Sequence, residues 1–207
     1  VTLLEASQDS VFILTFDKDK LYQRKYLNYD NQNHYELKVQ VSDGIDSVVA
    51  TISIEVLEAP ALDPFVDPRN GEEYPLVAIG DKVWFAKNLN YDEGLGSKCI
   101  AQDCSTFGRE YSIESALAGE FYDRFGNQGV CPDGFVIPIR PDFEDIRVYF
   151  EDQGTSSSLS YALKSTTGWG DKNGTNELGW NALNVKVDNN LNWNAATRFW
   201  SNSPEYG

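Results

Sequence analysis

The sequence predicts a mixed fold, an all-β segment followed by an α+β region with long loops, and three observations predict it. Apolar and polar residues alternate over 35–41 and again over 48–57, the period of half-buried strands. Three prolines then crowd residues 60–68. Beyond them, an amphipathic helical pattern near 141–150 stands among loops rich in Gly, Asn, Thr and Trp, above all 164–183.

The elements follow in order. Phe12, Leu14 and Phe16 mark one alternating strand. Tyr35–Val41 and Val48–Leu57 flank the turn Ser42-Asp-Gly-Ile-Asp46 and form a hairpin-like pair in an antiparallel sheet. The prolines of Glu58–Pro68 make an extended, stiff connector, so the chain divides into a β segment over 1–58, a linker over 59–68 and a second domain over 69–207. Leu76–Ile79 and Lys82–Phe85 around Gly80-Asp81 read as a hairpin, and Ser112–Phe121 as a helix. A second helix starts near Pro141, with Asp142, Glu144 and Asp145 where the helix dipole favours anions and Phe143, Ile146 and Phe150 on its buried face. Short strands are expected near 182–187 and 199–200. In the loop 164–183, Gly168, Gly170, Gly174 and Gly179 permit backbone angles closed to other residues, asparagines close local turns, and Trp169, Trp180, Leu163 and Leu183 pin the loop.

Composition narrows the function. With 17 basic and 32 acidic residues the net charge is -15, which repels phosphate backbones and anionic lipids and excludes nucleic acid as a natural partner. The acidity serves solubility or recruits divalent cations. No run approaches the roughly 18 apolar residues of a membrane span, so no membrane insertion is expected in this chain. A first residue Val1 and the absence of Met suggest a mature or excised fragment.

Catalytic constellations are scarce. His34 is the one histidine and reads as a solvated turn residue, so 61–207 holds no Ser-His-Asp or Cys-His site of the usual form. Gly168-x-Gly170 lacks the third glycine and the strand-to-helix setting of a phosphate loop. Two carboxylates could serve a glycosidase, yet no acid stands in a recognisable setting. An enzyme is therefore not expected. Cys99 and Cys104 flank Ile-Ala-Gln-Asp and could close a small disulfide worth roughly 2 kcal/mol, which suits an oxidising compartment. The alternatives are a reduced pair or a metal site, although two thiols without a nearby His do not complete a zinc shell. Trp193, with Asn190, Asn192 and Asn194 around it, is a candidate sugar-stacking platform.

Four motifs agree in order with one family. These are Ile79–Tyr91, Phe107-Gly-Arg-Glu-Tyr111 ahead of Ser115-Ala-Leu117, Cys131-Pro-Asp-Gly-Phe-Val-Ile-Pro138, and the loop 164–183. Over about 66–207 the chain resembles the Fibrobacter succinogenes major paralogous domain. The resemblance implies a C-type lectin-like fold in a secreted or surface-anchored bacterial protein, without an established activity, and its spacing implies core positions for Trp84, Trp169 and Trp200. Phe135 stands where that family usually has Trp, and Asp142-Phe143 where it has Glu-Trp. The family usually carries a cysteine near the domain's C-terminal end, which implies a missing partner for Cys131.

Residues 10–58, with Leu27-Asn-Tyr-Asp30 and Val41-Ser-Asp-Gly44, resemble the C-terminal part of a cadherin-like repeat. That resemblance implies calcium ligands at Asp30 and Asp43, although Leu57-Glu-Ala-Pro60 replaces the junction motif that would complete the site. Together the two resemblances imply a partial cadherin-like β-sandwich followed by a C-type lectin-like domain. The function so implied is a non-enzymatic adhesion or display role at the bacterial cell surface or in secretion, with other surface proteins or polysaccharide as partners. A carbohydrate-binding module is the alternative.

Overall fold

The computed structural model describes residues 2–5, 12–14, 21–23, 32–58, 61–121, 123, 126–153, 157–185 and 197–202. It is a mixed structure of small antiparallel sheets and few helices. The chain divides into two compact units. One takes Val1–Ala61 together with Val148–Thr155, and the other takes Leu62–Arg147 and Ser156–Gly207.

The first unit is built on a three-stranded antiparallel sheet in the order β1 (Thr2–Glu5), β4 (His34–Ser42), β5 (Ser47–Glu55). β2 (Phe12–Leu14) and β3 (Leu21–Gln23) form a separate antiparallel pair. The alternation expected over 35–41 is realised, since Tyr35, Leu37 and Val39 are buried while His34, Glu36 and Lys38 between them are exposed. Register sets Tyr35 opposite Ile54, Leu37 opposite Ile52 and Val39 opposite Ala50. Asp43 closes the turn: its Oδ1 accepts the amides of Ile45 and Asp46 at 2.9 and 2.8 Å, and Gly44 takes φ +94°. His34 opens β4 as a strand residue, not a turn residue, because the ladder with β5 runs to Glu55.

In the second unit, β6 (Phe65–Val66) pairs with β7 (Glu73–Tyr74), and β8 (Leu76–Ile79) with β9 (Lys82–Phe85). The latter is the hairpin expected around Gly80-Asp81, with Val77 opposite Trp84. β10 (Lys98–Cys99) pairs with β11 (Arg109–Glu110) across α1 (Cys104–Phe107). Phe65 and Val66 lie within the stretch expected to be a plain connector, and Asp67 after them is fully buried. Arg69 explains this burial. Its guanidinium binds Asp67 through Nη2 at 2.6 Å and Nε at 2.9 Å, donates from Nη1 to Val130 O at 3.0 Å, and lies 3.8 Å above the Tyr91 ring. The Arg69 hydrogen bond holds the Asp67 carboxyl below the usual carboxylate range. One ion pair thereby joins the 67–72 turn to the 130–131 loop beside a core of Tyr111, Ala116, Val130 and Ile137.

The helix expected over Ser112–Phe121 is shorter. α2 spans Ile113–Leu117, capped by Ser112 Oγ, and ends because Ala118 turns left-handed at φ 49° with Gly119 following at φ 82°. Gly129 packs against that end so closely that a Cβ would meet Ala116 O at 2.2 Å. α3 covers Arg140–Asp152, with Asp142 Oδ2 accepting the Ile139 amide at 2.8 Å; Ile146 and Phe150 are buried and Phe143 half-buried, as their spacing requires.

After α4 (Leu159–Leu163) the loop 164–183 closes on its own backbone and side chains. Trp169 and Trp180 are buried. The Trp169 indole Nε1 donates to Ser165 Oγ and to Ala182 O, each at 3.1 Å. Asn173 Oδ1 takes the Trp169 amide and Asn176 Oδ1 the Asn181 amide, so asparagines do close local turns here. Gly174 is required by close approach: a Cβ would lie 2.4 Å from Lys164 O and 2.5 Å from Tyr161 O. In place of the strand expected near 182–187 there is one parallel bridge, Lys164 to Ala182, and residues 186–187 lie outside the described part. Phe199–Trp200 forms no strand pair among the described residues, and its tie is instead Trp200 Nε1 to Tyr111 O at 2.9 Å.

Candidate functional site

The second unit encloses a cavity of about 600 Å³. Five of its segments supply most of its rings. β9 contributes Trp84 and Phe85, the 131–138 loop Phe135, the start of α3 Phe143, the 164–183 loop Trp180, and the 197–200 segment Phe199 and Trp200. The rings interlock. Trp84 lies 4.9 Å from Trp180 and 5.8 Å from Phe143, Phe199 meets Trp180 edge-on at 5.4 Å, and Phe85 stacks on Phe135 at 4.2 Å. These are the offset and edge geometries that aromatic quadrupoles favour.

Three cations at this wall are paired with carboxylates, and Arg198 also lines it. Lys82 Nζ reaches Asp145 at 2.6 Å and Asp142 at 3.7 Å, tying the β8–β9 hairpin to the first turn of α3, and the Asp145 hydrogen bond raises its pKa. Lys87 pairs with Glu72. Arg109 pairs with Asp92 at 2.9 Å and donates from Nη1 to Ser97 Oγ at 3.2 Å. Cys131 also lines the cavity, and burial pushes its thiol up to about 11, so it stays protonated and weakly nucleophilic near neutral pH.

Three buried polar atoms have no hydrogen-bond partner among the described residues: Trp84 Nε1, Arg109 Nε and Glu93 Oε2. Two of the three belong to residues of the cavity wall. Glu93 stands in the neighbouring 92–98 loop. Burial pushes its carboxyl up, yet hydrogen bonds from Ser115 and Ser97 outweigh that and hold it at about 2.

The sequence-predicted site residues fall elsewhere. Asp43 spends its Oδ1 on the hairpin turn, and Asp30 lies outside the described residues, as do Asn192, Trp193 and Asn194. Among the described residues no group of three or more His, Cys, Asp or Glu gathers to hold a metal, and no helix is long and apolar enough to cross a membrane. The Cys99 and Cys104 sulfurs stand at bonding distance, with Cα atoms 4.6 Å apart. Trp169 is core as expected, but Trp84 is half-buried and Trp200 is 43% exposed, because both face the cavity rather than a filled interior. Sequence reasoning missed the cavity and the Asp67–Arg69 pair. The available signal was Trp84-Phe85 on a short hairpin, together with aromatics recurring at 135, 143, 180 and 199.

No protein family, curated protein or solved structure matches this chain.

Proposed function

We propose that this chain is a non-enzymatic binding and display segment of a secreted or surface-exposed bacterial protein, and that the aromatic cavity is its ligand site. The observation that carries this reading is a cavity of about 600 Å³ whose wall is largely aromatic, with Lys82, Lys87 and Arg109 each paired with a carboxylate. Such a volume lies within the roughly 300–1,000 Å³ usual for small-molecule sites. Chemistry on a bound ligand needs a base, acid or nucleophile at ambient pH, and the wall's thiol is held protonated by burial. Binding is what the arrangement can do. The Cys99–Cys104 pair supports an oxidising compartment outside the cytoplasm. The antiparallel β4–β5 hairpin, with alternating burial along β4, suits a cadherin-like sheet, and a loop-rich domain held by buried tryptophans suits a lectin-like one.

The test is a thermal-shift screen of the whole chain against small apolar compounds and soluble polysaccharides, with each hit recovered and weighed intact. A hit returned unchanged and weakened by Phe199→Ala supports the reading. A hit returned chemically altered makes the chain an enzyme, and hits indifferent to Phe199→Ala remove the cavity as the site.

A further inference from the structure

Resting on that reading of the cavity, we infer that its ligand is a small aromatic monocarboxylate, its ring seated among the cavity's rings and its carboxylate received by the Arg198 guanidinium. Three observations converge. The first is an uneven distribution of charge on the wall. Lys82, Lys87 and Arg109 are held by Asp145, Glu72 and Asp92, whereas Arg198, exposed and lining the same cavity, has no carboxylate partner among the described residues. Arginine keeps its charge across the physiological range, and its planar fork matches a carboxylate through two parallel hydrogen bonds.

The second observation is where that charge stands. Phe199 and Trp200 follow Arg198 directly and line the cavity while 41% and 43% exposed, so open ring surface adjoins the cation in the chain. This segment is anchored. Trp200 Nε1 donates to Tyr111 O at 2.9 Å, Phe199 meets Trp180 edge-on at 5.4 Å, and the buried Asn202 donates its amide to Pro138 O and its Nδ2 to Asn127 Oδ1, each at 2.7 Å. A cation carried on a fixed segment binds without the cost of ordering the backbone beneath it. Rings in tilted, edge and stacked contact across the wall then favour a flat aromatic body. The third observation sets the number of charges. One unpaired cation complements one carboxylate, and each further negative charge would meet a chain of net charge -15 without a cation to receive it. Because Arg198 is exposed, the carboxylate it receives stays in contact with water, so its desolvation costs little while the ring takes the burial.

Four probes separate the alternatives: 3-phenylpropionate, its neutral amide 3-phenylpropanamide, propionate without a ring, and phenyl phosphate with a second charge. Each is titrated into the nitrogen-15-labelled whole chain, and affinity is read from the amide and indole N–H shifts. The expected result is 3-phenylpropionate bound about 5-fold more tightly than the amide, the size of an exposed charge-assisted pair, with propionate far weaker than both. In Arg198→Gln the acid and the amide should bind equally, and an unchanged affinity for the amide reports an intact cavity. Equal or tighter binding of the amide by the wild-type chain overturns the carboxylate assignment and leaves the cavity reading standing. A preference for the acid that survives Arg198→Gln overturns the role of Arg198. Tightest binding by phenyl phosphate overturns the single charge, and propionate bound as tightly as 3-phenylpropionate overturns the ring. No binding of any probe, or binding of both ring probes indifferent to Phe199→Ala, overturns the inference and the cavity reading beneath it together.

Discussion

Two tryptophans in the same unit have opposite fates. Trp169, in the loop 164–183, is buried with its indole N–H shared between Ser165 Oγ and Ala182 O, while Trp84, on β9, is half-buried with its N–H unpartnered among the described residues. The first sits in a loop whose turns Asn173 and Asn176 close; the second sits where several segments meet around a hollow. The difference separates scaffold from site. A buried polar group with partners stabilises the loop it belongs to, and one without partners is a cost that a binding role explains.

The sharpest way to break the comparison is at the most completely satisfied group. Arg69→Ala leaves Asp67 buried and unpaired, and should cost about 3–5 kcal/mol, read as a lowered denaturation midpoint with unchanged slope. A loss below about 1 kcal/mol would mean that partnership does not mark scaffold here. Trp169→Phe comes next. It removes the indole N–H that Ser165 Oγ and Ala182 O both accept, although Ser165 Oγ still donates to Thr167 O and Ala182 O still accepts the Ser165 amide, and should cost about 1–2 kcal/mol in the same titration.

Glu93→Gln sharpens the comparison through pH, since one oxygen of Glu93 is satisfied and the other is not. Its folded carboxyl sits at about 2 against an ordinary 4.5, a depressed value, so its stabilisation is full above the ordinary range and is lost as pH falls toward 2. The variant should therefore melt lower than wild type at pH 7, by roughly 1–2 kcal/mol equivalent, and coincide with it near pH 2. The smallest expected effect is the decisive one: Trp84→Phe removes the orphaned N–H and should change stability by less than about 1 kcal/mol, in contrast to Trp169→Phe.

What the sequence disclosed depended on how local the cause was. The β4–β5 hairpin was legible because alternation and an Asp-Gly turn are contained within about twenty residues, and α3 because Ile146 and Phe150 repeat at helical spacing. The end of α2 was not, since Ala118 adopts a left-handed angle for which Ala carries no signal. Asp67–Arg69 was hidden by prolines that read as a connector, although its partners Val130 and Tyr91 are far along the chain. The cavity was the least legible, because each ring looks like ordinary core until the five segments are placed around one volume. Phe135, noted only as a replacement for tryptophan, and Phe143, expected on a buried helix face, both line it.

The β4–β5 hairpin has one further consequence. β5 has a neighbour on one side only among the described residues, and Val48, Val49 and Ile52 along it are exposed. A row of open backbone amides beside apolar side chains is a template for another strand, so the unit's behaviour in a crowded solution is a colloidal matter as much as a folding one. The net charge of -15 then acts as a guard: it keeps copies apart at low salt, over a Debye length of about 10 Å at 0.1 M, and that guard thins as salt rises.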